Sequence, residues 1–89
     1  MKVEFTHEFI KIYKKRYSHK PNIQKRFEER LRKFVQDQAD SQLHDHPLTG
    51  KLEGKRAFSI TGDVRVVYYI HENIAYFVDI GTHNQVYGK

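Results

Sequence analysis

The chain has 89 residues, 38% of them hydrophobic and 13% aromatic, which is enough for one core and argues against disorder. It has no cysteine, which excludes a disulfide scaffold, a thiolate metal site and a cysteine nucleophile. The net charge of +5 is uneven: residues 1–33 hold eleven of the sixteen Lys and Arg and balance at +7, leaving −2 on the rest. A basic half suits a polyanionic partner and equally a solvated helix surface.

Val3 and Phe5 alternate with polar residues and predict a short first strand. Thr6 then suits a helix N-cap, with Glu8 in the first turn. Phe9, Ile10, Tyr13 and Tyr17 follow at helical spacing. Ser18 to Pro21 breaks that helix, and Pro21 suits the first turn of the next. Ile23, Phe27, Leu31, Phe34 and Val35 form one apolar stripe, so the second helix should run to about Ser41. His44 to Gly50 is not helix, because Pro47 disfavours helical geometry before it. Lys51–Glu53, Arg56–Thr61, Val64–Ile70 and Ile74–Ile80 then read as strands. Gly62-Asp63 and Glu72-Asn73 serve as the hairpin turns.

The order predicts an α+β domain over residues 1–89. A short N-terminal strand and a helical hairpin precede an antiparallel sheet of about four strands, with the helices on one face. Strand parity sets Phe58, Ile60, Val64, Val66, Tyr68 and Ile70, with Ile74, Tyr76, Val78 and Ile80, on the helix side. Ser59, Arg65 and Asp79 fall on the other side. Arg65 in a central strand needs either a pairing with Asp79 or Asp63, or an anion site on a concave face. Neither a signal-peptide run nor a stretch of roughly 20 apolar residues is present, so a cytoplasmic protein without membrane contact is expected.

No phosphate loop, nucleophile elbow or zinc signature occurs. His44-x-His46 with Asp45 lacks a third ligand at a reliable spacing, and no metal or cofactor is expected. His7, His19 and His71 sit among charged residues at element ends. His46 and His83 lie in loops outside the periodic core, where functional side chains concentrate. RNA cleavage by its own 2′-hydroxyl needs a base, an acid and a cation for the phosphorane. His46, His83 and Arg65 suit those roles, and Tyr87 suits stacking on a base or donating to the phosphate.

The runs His44-Asp45-His46-Pro47-Leu48-Thr49-Gly50, Gly54-Lys55-Arg56, Gly62-Asp63-Val64-Arg65-Val66-Val67-Tyr68 and Ile80-Gly81-Thr82-His83, with Tyr87-Gly88, resemble the RelE/ParE toxin superfamily. The likeness covers nearly the whole chain and is strongest to the YafQ-like mRNA interferases. It implies the toxin of a toxin–antitoxin pair that cuts mRNA in the ribosomal A site without metal, leaving a 2′,3′-cyclic phosphate and a 5′-hydroxyl. The implied catalytic positions are His46, Asp63, Arg65, His83 and Tyr87, with Lys51, Lys55 and Arg56 on the RNA. The implied partners are a cognate antitoxin, mRNA and ribosomal RNA. Two positions depart from the YafQ pattern: Ser59 replaces a histidine, and Asp79 replaces an arginine. A ParE-like gyrase inhibitor, or a non-catalytic binding protein of the same fold, is the alternative.

Overall fold

The computed structural model describes residues 1–88. Strand β1 (Lys2–Phe5) leads into helices α1 (His7–Tyr17) and α2 (Pro21–Gln36). Strands β2 (His46–Pro47), β3 (Arg56–Ser59), β4 (Val64–His71) and β5 (Ile74–Thr82) follow, and α3 (His83–Tyr87) ends the described chain. The five strands lie in the order β1-β5-β4-β3-β2. The sheet is mixed rather than purely antiparallel, because β1 pairs parallel with β5. Among the described residues, no helix is long and apolar enough to cross a membrane.

Local chemistry explains the helix ends. Thr6 Oγ1 accepts from the Phe9 amide at 3.2 Å, capping α1 as expected. The same hydroxyl donates to the Phe77 carbonyl at 2.7 Å, which pins the cap to β5. Pro21 occupies the first turn of α2. That helix stops at Gln36, short of Ser41. Asp37 and Asp40 instead accept from the amides of Ala39 and Gln42, satisfying the backbone in turns.

The helices cover one face of the sheet over an aromatic core. Phe9, Phe34, Phe58, Tyr68 and Phe77 are at most 2% exposed. Phe34 stacks on Phe58 at 4.8 Å and meets Tyr68 edge-on at 4.9 Å. Such ring pairs add to simple area burial.

Two expectations need correction. Lys51–Glu53 is not a strand: Gly50–Leu52 forms a 3-10 turn that starts from Gly50 at φ +66. The parity of β5 also switches partway. Tyr68 pairs with Phe77 and Val67 with Asp79, so Val78 is an extra, bulged residue. Ala75 and Phe77 therefore pack in the helix-side core. Ile74 and Tyr76 face the other way, and Tyr76 stacks on Tyr69 at 5.2 Å. Past the bulge Ile80 rejoins the core, while Val78 lies on the open face with Ala57 and Val67.

Candidate active site

The open face of the sheet is floored by Ala57, Val67 and Val78, and α3 folds back over one end of it through the buried Val86. The residues expected as a tail form this helix because Thr82 and Gln85 make a capping box. Thr82 Oγ1 accepts from the Gln85 amide at 3.3 Å, and Gln85 Oε1 accepts from the Thr82 amide at 2.8 Å.

His46 enters from β2, directly across from Ala57. The residue before its turn, His44, adopts a left-handed backbone at φ 50. This conformation sets the His44 carbonyl to accept from His46 Nδ1 at 2.9 Å. A carbonyl only accepts, so Nδ1 carries the proton and Nε2 offers a lone pair in the neutral ring. The neighbouring Asp45 points the other way, and its side chain is 5% exposed. It accepts from Arg56 Nε at 2.7 Å and from the Tyr68 hydroxyl. Gln38 Nε2 donates to that hydroxyl at 2.6 Å. Burial, and then the bond to Asp45, push the Tyr68 hydroxyl pKa far up, so it stays protonated.

Arg65 sits in β4 between Ser59 and Gly81. Its Nη1 donates to the Asp63 carbonyl at 3.2 Å. Among the described residues no carboxylate forms an ion pair with it. The pairing considered for Asp79 belongs to Arg16 of α1, at 3.4 Å. Arg16 Nη1 also donates to the Ile80 carbonyl at 2.7 Å. A Cβ at Gly81 would lie 2.5 Å from that nitrogen, so a glycine there lets the guanidinium close on the strand.

Asp63 Oδ1 accepts from the His83 amide at 3.3 Å, tying the hairpin turn to the start of α3. The ring of His83 meets that of Tyr87 edge-on at 4.6 Å. The Tyr87 hydroxyl is buried and has no hydrogen-bond partner among the described residues. Burial raises its pKa, and the charge of Arg65 pulls the other way.

Two clefts meet at His46, one on this face and one that reaches round to α2. The larger, about 750 Å³, is lined by His46, Leu48, Lys51, Lys55, Val86 and Tyr87 among others. The smaller has His46, Ser59 and Arg65 on its wall. His46 borders both. Asp63 and His83 are outside the lining of both, and His83 approaches through Tyr87. Arg56 differs from the two lysines: it lies across from Tyr68 on the helix side and is held by Asp45, so it does not line either cleft. Among the described residues, no three His, Asp or Glu side chains converge as metal ligands.

Sequence reasoning missed the struts. Asp45 entered as part of the His44–Gly50 run and of a doubtful metal triad, Arg16 only as one of the cations off the apolar stripe of the first helix, and Gln38 not at all. Their partners lie 11, 63 and 30 residues away, beyond any local pattern. Gly81 was the one available signal, because a glycine at a strand end often marks a close approach.

The sequence matches the family model described as bacterial toxin of type II toxin–antitoxin system, YafQ, over residues 1–88. Among solved structures, YafQ from E. coli strain BL21(DE3) aligns with a TM-score of 0.74 at 18% identity, covering 97% of each chain. A YoeB/ParE toxin from Agrobacterium tumefaciens aligns with a TM-score of 0.76 at 18% identity, covering 93% of this chain and 99% of that one. A chain of the YoeB-YefM complex from Staphylococcus aureus aligns with a TM-score of 0.73 at 19% identity, covering 93% and 97%. At these identities the structural likeness speaks for the fold. No curated protein matches the sequence.

Proposed function

The chain belongs to the YafQ family of bacterial type II toxin–antitoxin toxins, and from that premise we propose that it is a metal-independent endoribonuclease that cuts mRNA at the ribosome. The observation that carries this reading is the sharing of one cleft by His46 and Arg65, with Tyr87 on the wall of the adjoining cleft that His46 also borders.

His46 Nε2 takes the proton of the 2′-hydroxyl, and the resulting oxygen attacks phosphorus in line. Arg65 stabilises the negative charge of the phosphorane, where a planar guanidinium matches two oxygens at once. His83 donates a proton to the departing 5′-oxygen, so the products are a 2′,3′-cyclic phosphate and a 5′-hydroxyl. Tyr87 supports the His83 ring, and its side chain lines the larger cleft, where a base can stack. Asp63 holds the His83 backbone rather than taking part in the proton transfers. Lys51 and Lys55, on the wall of the larger cleft, hold the RNA backbone. Ribosomal RNA and mRNA are the nucleic-acid partners in this reading. A cognate antitoxin is the protein partner, as YefM is for the YoeB relative.

Primer extension on mRNA after induction tests it. His46→Ala and His83→Ala are each expected to slow cleavage by about 10²–10⁴-fold, the range for a lost general base or acid. They should also relieve growth arrest. Full toxicity in both variants, or gyrase-linked DNA breaks with intact mRNA, would overturn the nuclease reading.

A further inference from the structure

We propose that the smaller cleft holds a second phosphate of a nucleic-acid backbone, bound by Arg26 and Arg30 of α2 beside the His46–Arg65 wall. The cleft measures about 460 Å³. Three arginines and two histidines line it, with Ser59, Thr61 and Gln42 as further polar groups and no Asp or Glu. Arg26 and Arg30 stand one turn apart and so share a face of α2. Arg30 Nη1 donates to the Gln42 carbonyl at 2.9 Å, which fixes the guanidinium and, among the described residues, leaves its other N–H groups for a ligand. Among the described residues Arg26 has a single ion-pair contact, with Glu29 at 3.9 Å, and both side chains are nearly half exposed. Such a contact is weak and readily exchanged for a better anion.

A concave wall of one charge sign focuses potential and concentrates anions. Guanidinium forks match phosphate oxygens in pairs. The ligand class follows from the two clefts together. His46 joins this cationic cleft to the larger one, whose wall carries Val78, Val86 and Tyr87 beside Lys51, Lys55, Glu8 and Asp79. Apolar and aromatic groups suit bases, and cations suit phosphates, so one single strand satisfies both. An acidic peptide would set its carboxylates against Glu8 and Asp79 in the larger cleft, where a strand can place bases. The proposal rests on the nuclease reading for which phosphate is cut, but not for binding.

The test uses a deoxyribonucleotide strand, which has no 2′-hydroxyl to attack, and measures its Kd across a salt series. Arg26→Ala/Arg30→Ala is expected to weaken binding about tenfold or more, typical for removal of a charge-assisted hydrogen bond. The salt slope should fall by about 0.7 for each phosphate that the variant no longer neutralises. Lys11→Ala/Lys15→Ala removes the same formal charge from exposed positions on α1 and should change the slope little. Circular dichroism confirms that each variant folds. Equal losses of affinity in the two double variants would overturn the site, since they would report net charge alone. So would no binding by the wild type at low salt, or an acidic peptide that needs Arg26 and Arg30 while the strand does not. A wild type that binds the strand, loses it on Arg26→Ala/Arg30→Ala and never cuts RNA would refute the nuclease reading and keep the site.

Discussion

Asp45 carries a charge almost out of water, with Arg56 and Tyr68 as its compensation. Breaking such a network by removing one member leaves the others unpaired, which typically costs 3–5 kcal/mol. Arg56 is about a third exposed, so water recovers part of that cost. Asp45→Ala should therefore lower the unfolding free energy by about 2–3 kcal/mol in a urea titration. A wild-type midpoint would show that the network contributes nothing to folding. His46, Arg65, His83 and Tyr87 were legible in the sequence because each breaks a local pattern: a histidine before a proline, a cation inside an apolar strand, a motif after the last strand. Asp45 breaks none, since a carboxylate in a turn is ordinary. Its buried state follows from Tyr68 and Gln38, which only the folded chain brings near.

At the scale of elements, α3 carries the largest local prediction. It has five residues, far below the length at which a helix is stable alone. The capping box and the burial of Val86 against Ala57 and Val67 hold it in place. Thr82→Ala removes the cap at a cost of about 1 kcal/mol. Because the effect is local, hydrogen exchange at the Val86 and Gly88 amides should speed up by about fivefold while β4 and β5 stay protected. Unchanged exchange would assign the helix to Val86 alone. The Thr82-x-x-Gln85 spacing was present in the sequence as a helix signal, and the tail reading passed over it. The bulge at Val78 had no comparable mark. Neither Gly nor Pro stands there, and it shows only in the pairing of Val67 with Asp79. One inserted residue reversed the parity of Ile74 and Tyr76 while leaving the strand itself, and its turn, where the pattern put them. The turn was legible because Asn73 readily takes a left-handed backbone; Glu72 takes one as well.

For the whole molecule, helices before strands predicted the layered α+β fold, and the helical stripes predicted the core apart from Ile10 and Val35, which stay exposed. The parallel pairing of β1 was not legible, because four residues carry no information about which edge they will join. That core is rich in tyrosine hydroxyls, and this gives the fold a pH limit. Burial raises the pKa of Tyr68 most, with smaller upward shifts at Tyr13, Tyr17 and Tyr87 that also come first from burial. A group whose folded pKa is raised binds its proton more tightly in the native state. Its contribution is complete below the unfolded value, near 10 for tyrosine, and drains away as the pH rises through the folded one. Above pH 10 the unfolded chain ionises at Tyr68 while the native chain does not, and stability falls by about 1.4 kcal/mol per pH unit for that proton alone. A small domain has a total of roughly 5–15 kcal/mol to lose. Urea midpoints are therefore expected to be insensitive to the tyrosines from pH 7 to 9 and to drop steeply above pH 10. Tyr68→Phe should start lower, because Asp45 loses a donor, but decline with a shallower slope. Parallel slopes for the two proteins would place the alkaline loss elsewhere in the molecule.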